Sequence, residues 1–227
     1  TATLLYTGTG STTDRVVNLA GTTGGAVLNS SGTGALVFTS PFTATGAGNK
    51  TVTLRGTNTD ANTVGALVNG PTGTTSLLKT DSGTWVLGGV NTATGATTLN
   101  NGTLRLGVNN ALTASAVTVN ANSTGATALL DLAGFNATVP SLTFGGTGGT
   151  TSSTSNVSTG AGTLTLGGNV TYTSTGNPLG STLSGNLALG AATRTFTVGD
   201  SLTATADLSV TAAISGAGGL TKAGTGT

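Results

Sequence analysis

Apolar and β-branched residues alternate with period two along most of this 227-residue chain, and that pattern excludes most folds at once. It runs through Thr51-Val-Thr-Leu-Arg55, Thr84-Trp-Val-Leu87, Thr103-Leu-Arg-Leu106, Val117-Thr-Val119, Ser141-Leu-Thr-Phe144, Thr163-Leu-Thr-Leu166, Arg194-Thr-Phe-Thr-Val198 and Leu208-Ser-Val210. A strand turns successive side chains to opposite faces, so each segment has one apolar face. Thr and Val suit a pleated surface, and no stretch shows the 3.6-residue period of an amphipathic helix. Between the segments lie Gly-Gly, Asn-Gly, Asn-Asn and Gly-Thr-Gly clusters, which supply the positive-φ and Asx-turn positions of sharp corners. The expectation is an all-β chain with short corners and no substantial helix.

The pattern also repeats. Lys79-Thr-Asp-Ser-Gly-Thr84 aligns position for position with Lys222-Ala-Gly-Thr-Gly-Thr227, so the chain is expected to stop inside a motif. It contains no methionine, which together with the interrupted motif predicts a fragment or processed product of a longer repetitive polypeptide. Gly-Thr strand openings at Gly83, Gly102 and Gly162 predict a β-solenoid of about 20 residues per coil, the scale of solenoid repeats. Residues 1–227 then form one continuous solenoid segment of about eleven coils, a rod on the order of 50 Å long. Leu104, Leu106, Leu164, Leu166, Phe196 and Val198 are predicted to point inward, while Thr103, Arg105, Thr163 and Thr165 face out. An antiparallel sandwich is the weaker alternative, because it usually shows hairpin turns at shorter intervals and more surface charge.

The segment from Gly83 to Gly107, G-T-W-V-L-G-G-V-N-T-A-T-G-A-T-T-L-N-N-G-T-L-R-L-G, resembles the passenger-associated transport repeat, also called the autotransporter-associated β-strand repeat. Gly162 to Gly176 resembles a degenerate copy, and Ile214 to Thr227 the start of another. Ala93 stands where the repeat usually has an aromatic, and Tyr172 keeps one in the degenerate copy. The resemblance implies a right-handed parallel β-helix exported to the bacterial cell surface, with further solenoid repeats, or identical subunits stacked end to end, as its neighbours. The best account of the whole chain is an extracellular stalk or filament segment, with an adhesin for host-cell or matrix glycans as the alternative.

Only 6% of the residues are charged and the net charge is +1, so there is no clustered Lys and Arg to draw in nucleic acid. A mean hydropathy of +0.23 with regular alternation argues against disorder. No apolar run reaches the roughly 20 residues of a membrane helix, and any export signal or anchor is expected outside this segment. The chain has no Cys, His or Glu, which removes disulfides, thiolate zinc sites and the commonest general bases. Asp60 and Asp81 lie about one expected coil apart, the one arrangement that suggests paired carboxylates for polysaccharide hydrolysis; solvated turn residues are the plainer reading. Asp200 and Asp207 are near neighbours, but Asp200 follows Gly199 at the end of a strand and reads as a turn residue, and Asp131 should point away from the face of Leu130 and Leu132.

Phosphate-loop glycine patterns are incomplete at Gly8 and Gly10, at Gly160 and Gly162, and in Gly46-Ala-Gly-Asn-Lys50-Thr51. Gly145-Gly-Thr-Gly-Gly149 lacks the carboxylate of a calcium nonapeptide. Asn-x-Ser/Thr at Asn29, Asn49, Asn101, Asn122, Asn136, Asn156 and Asn169 is what a Thr-rich chain produces by chance. Thr-x-Thr pairs at 51/53, 163/165, 171/173 and 195/197 fall at unequal intervals, which argues against a regular threonine ladder for ice binding. Trp85 and Tyr172 read as packing residues more readily than as sugar platforms. No catalytic, cofactor or metal residue is assigned, and no enzymatic activity is expected.

Overall fold

A computed structural model of the chain describes residues 1–112, 115–123, 125–146, 153–175 and 179–227. Every strand pairing among the described residues is parallel, in two long sheets of ten and eleven strands. Parallel strands cannot be joined by hairpins, so the chain runs along one sheet, turns a corner, runs along the other and returns one level higher. This is the expected β-solenoid.

A single inward column of the first sheet shows the coil directly. Ala2, Ala26, Val52, Leu77, Thr97, Val117, Leu142, Val170, Phe196 and Lys222 are consecutive register partners, one per coil. The two shortest steps run from Leu77 to Thr97 and from Thr97 to Val117; every other step is longer, and that from Leu142 to Val170 is the longest. The expected uniform coil of about 20 residues is therefore corrected to a variable one averaging about 25 residues, still on the scale of solenoid repeats. The expected eleven coils become about nine. The reason is positional. Gly102 pairs with Ala128 and Ala128 with Ser155, so Gly162 is not in the column of Gly102 but further along the strand Thr154–Leu166. That strand turns a corner, with a register shift between Ser158 and Thr163, and pairs with both Thr127–Asp131 and Ala137–Val139. Gly-Thr thus opens strand segments on two different faces.

The alternation holds. Leu104, Leu106, Leu164, Leu166, Phe196 and Val198 are buried; Arg105 is exposed, and Thr103, Thr163 and Thr165 are half-buried on the outer side. Trp85, Leu104, Leu130, Val157 and Leu183 stack as register partners on the second sheet. Fully burying each such side chain is worth roughly 1.5–3 kcal/mol. Asn62 interrupts this stack beneath Trp85, completely buried. Its amide nitrogen donates to the carbonyls of Asn58, Asp60 and Thr84, and its oxygen accepts from the Ser30 hydroxyl and the Leu36 N–H. A buried amide so fully paired costs little, and it replaces slippery apolar packing with one fixed arrangement.

Asparagine side chains add further ties between neighbouring coils. Asn109 Oδ1 accepts from Asn136 N–H at 2.7 Å, and Asn136 Oδ1 accepts in turn from Thr163 N–H at 2.9 Å. Asn49, Asn156 and Asn169 do the same for Thr74, Thr182 and Thr195. Four of the Asn-x-Ser/Thr asparagines therefore have a structural use, as side-chain extensions of the backbone ladder.

Candidate functional site

The most distinctive chemistry lies at the corner after strand Thr75–Lys79. Residues 75, 77 and 79 share the inward side, so alternation carries Lys79 into the rod, where it is completely buried. Its ammonium donates to the carbonyl oxygens of Thr80 at 2.7 Å, Asp81 at 2.6 Å and, from the next coil, Asn101 at 2.9 Å. All three ammonium donors are used. Burial pulls its pKa down to about 8, while the neighbouring Asp81 carboxylate opposes the shift. Asp81 makes this cage possible by adopting φ 58°, and Gly102 completes it at φ 72°. A Cβ on Gly102 would stand 2.5 Å from the Asp81 and Gly83 carbonyl oxygens and 2.7 Å from the Lys79 nitrogen, so only glycine fits. The aligned copy shows the same device: Lys222 Nζ donates to Gly224 O at 3.1 Å, and Gly224 has φ 81°. Lys50 is buried likewise, donating to Gly21 O and Ala47 O at 2.6 and 2.7 Å.

The carboxylates are individually engaged. Asp81 accepts from Arg55 Nε at 3.2 Å and from Gly56 N–H at 3.0 Å, whereas Asp60 accepts from the Asn58 side chain at 3.3 Å. The two expected partners thus sit in separate local networks. Asp131 points out, as expected, and pairs with Arg105 at 2.8 Å across one coil step. Such exposed pairs contribute at most about 1 kcal/mol each. Asp200 is exposed beside an open cleft of about 390 Å³ lined also by Ser174, Thr175, Ser201, Leu202 and Thr203. Asp207 is buried instead, accepting from the N–H groups of Ser201 and Thr227 at 2.7 and 2.8 Å.

Trp85 and Tyr172 are both buried, and neither presents a ring face for a sugar. Trp85 Nε1 donates to Arg55 O at 2.9 Å, which pins the indole to the preceding coil. The Tyr172 pKa is pushed up to about 12 by burial, with the Asp207 charge adding to it and hydrogen bonding to Ser201 and to the Gly180 backbone opposing it. Among the described residues no group of three or more His, Cys, Asp or Glu stands together. The glycine run from Gly145 extends past Gly146 outside the described residues. Sequence reasoning overlooked Lys50, Lys79 and Asn62 as interior groups, although their parity with Leu54, Leu77 and Val64 carried the signal.

Stacked parallel coils, polar corners and a sparsely charged surface define a β-solenoid repeat protein. More narrowly, the family described as Passenger-associated-transport-repeat matches two stretches of the chain, residues 77–106 and 157–176. The match covers the Lys79 cage, the Trp85 strand and the corner-turning strand. The chain is also 47% identical over 110 residues to a protein described as Adhesin BmaC autotransporter from Brucella suis biovar 1 (strain 1330). That alignment takes in 47% of this chain and 3% of the relative, so the chain spans only a small part of the relative's length. No solved structure matches.

Proposed function

We propose that this chain is a rigid spacer within an autotransporter passenger at the bacterial cell surface, a non-catalytic stalk that holds other parts of a long protein away from the membrane. The observation that supports this most is the tying of coil to coil. Backbone ladders run through both sheets, and Asn splints, lysine cages and Arg–Asp pairs bridge neighbouring coils as well. Each coil is thus connected to the next through several independent bonds, which is what a load-bearing rod needs. The interior charges are surrounded by carbonyls or N–H groups, so the rod holds its shape through its own backbone.

Pulling a single passenger molecule by its ends tests this reading. The segment is expected to resist as a stiff element and then give way coil by coil, each event releasing the chain length of one repeat unit. Extension at low force without discrete events would overturn the spacer reading. A second reading, an adhesive surface, is favoured by the description of the Brucella relative as an adhesin. A glycan array with the purified chain decides between the two: selective binding supports adhesion, and uniform absence of binding supports the spacer.

A further inference from the structure

The chain contains two Asn-Gly steps, Asn69-Gly70 and Asn101-Gly102, and the solenoid holds them differently. Such a step can close on itself, because glycine has no Cβ to keep its nitrogen away from the asparagine side-chain carbonyl. The Asn69 side chain is tied down at both ends of its amide. Its Oδ1 accepts from the Thr75 and Thr94 N–H groups at 2.8 and 3.2 Å, and its Nδ2 donates to Thr94 Oγ1 at 2.9 Å. The Asn101 side chain instead folds back onto its own peptide, with Oδ1 accepting from the Gly102 N–H at 2.7 Å. Cγ is one C=O bond, about 1.2 Å, from that oxygen, so it stands within about 3.9 Å of the Gly102 nitrogen. The carbonyl oxygen of the same peptide accepts from the buried Lys79 ammonium at 2.9 Å. A cation on a peptide oxygen favours the form that has lost its N–H proton, which makes the Gly102 nitrogen a stronger nucleophile. Asn101 is half-buried at the corner, so water still reaches it.

We propose that Asn101-Gly102 is a site of self-modification, where the folded corner converts asparagine into isoaspartate without an enzyme. The Gly102 N–H proton passes to water and the nitrogen bonds to Asn101 Cγ. The Cγ–Nδ2 bond breaks, and the side-chain nitrogen takes a proton from water and leaves as ammonia. The product is a succinimide, in which Cγ and the backbone carbonyl carbon of residue 101 are both ring carbonyls. Lys79 already donates to the oxygen of the second, and a charged donor polarises that carbonyl for attack. Water adds there, the bond from this carbon to the Gly102 nitrogen breaks, and the nitrogen takes up a proton. The main chain then runs through Cβ and Cγ, and the former backbone carbonyl is a free carboxylate against the Lys79 ammonium. A neutral acceptor is thereby exchanged for an ion-pair partner, which favours the charged lysine in its cage. The inference is independent of the spacer reading, since it concerns the covalent chemistry of one corner and not the load that the rod bears.

Trypsin separates the two steps, because cleavage after Arg55, Lys79 and Arg105 puts Asn69-Gly70 on peptide 56–79 and Asn101-Gly102 on peptide 80–105. The folded chain is aged in mildly alkaline heavy-oxygen water, with a parallel sample unfolded in guanidinium chloride, and mass spectrometry follows deamidation and isoaspartate on each peptide. In the folded chain Asn101 is expected to react about tenfold faster than Asn69, a modest difference in barrier. Isoaspartate should be its main product, with the heavy oxygen in the α-carboxylate. In the unfolded sample, where neither side chain is held, the two steps should react at similar rates. Lys79→Met should slow the reaction at Asn101 about tenfold and lower the isoaspartate share. Fragmentation locates the two sites on the joint peptide that this variant yields. The proposal is overturned if the folded chain reacts no faster at Asn101 than at Asn69, or if unfolding leaves the contrast between the steps unchanged. It is equally overturned if a folded Lys79→Met chain keeps the wild-type rate and product ratio. Where that variant does not fold, the contrast between folded and unfolded wild-type chain decides alone.

Discussion

At the scale of single residues, the corner at Lys79 makes two separable demands. Gly102→Ala should destabilise the chain by roughly 1–3 kcal/mol, because it adds a Cβ both at positive φ and within the ammonium cage. Gly134→Ala has a similar φ of 89° but nothing within 4 Å, so it should lose less, and urea unfolding midpoints of the two variants compare them. The lysine itself titrates against intuition. Its folded-state pKa of about 8 lies below the ordinary 10.5, so between these values the unfolded chain holds the extra proton and stability rises with pH. The full rise is about 3 kcal/mol, complete near pH 10.5 and absent in Lys79→Met. Tyr172 acts in the opposite sense: its pKa is raised from 10 to about 12, so stability present below pH 10 is lost from there toward 12. Urea midpoints should therefore peak near pH 10, with the alkaline fall missing in Tyr172→Phe. Both groups were legible in principle, since strand parity points Lys79 and Tyr172 inward. The default of placing lysine in water hid the first, because its carbonyl partners come from corners that alternation does not describe.

Strands were the most legible elements, and corners the least. Period two predicted which side of Thr103–Leu106 and Thr163–Leu166 is buried, because each residue's side depends only on its neighbours. Coil length depends on how far the chain wanders between strands, and nothing local fixes that. Gly102 and Gly162 look alike in sequence yet open segments on different faces. The same locality concealed the asparagine splints, whose partners lie about one coil away in the chain. Asn136 is the clearest, accepting from Thr163 N–H while its own N–H donates to Asn109. Asn136→Ala should cost about 1 kcal/mol, the ordinary worth of one such hydrogen bond. Amide exchange should accelerate at Thr163 and leave Leu164, on the buried side, little changed. Exchange that speeds equally over the whole coil would mean that the splint acts on global stability alone.

For the whole molecule, the coil is the unit, and register is carried from coil to coil without reference to chain length. A step as short as Thr97 to Val117 and one as long as Leu142 to Val170 coexist in one column, while Val117, Leu142 and Val170 still stack on one another. A complete coil should then be removable. Deleting residues 97–116 takes out one strand from each sheet, Thr97–Leu99 and Gly102–Leu106, and brings Val117 onto Leu77 and Leu130 onto Trp85. The shortened chain should keep its β-sheet circular dichroism and lose about 4.8 Å of rod length in small-angle scattering. Its specific losses include the Asn101 carbonyl of the Lys79 cage, the Arg105 partner of Asp131 and the Asn109 acceptor of Asn136, so the alkaline rise in stability should change in size while the fold persists. Deleting Arg105 alone is the contrasting experiment. It removes a single residue, yet it puts Leu104 and Leu106 on opposite faces and exposes one of them, a loss of roughly 1.5–3 kcal/mol. A whole coil should therefore be easier to lose than one residue of it. If the full-coil deletion unfolds and the single deletion does not, register is held by long-range contacts and not by stacking of neighbouring coils.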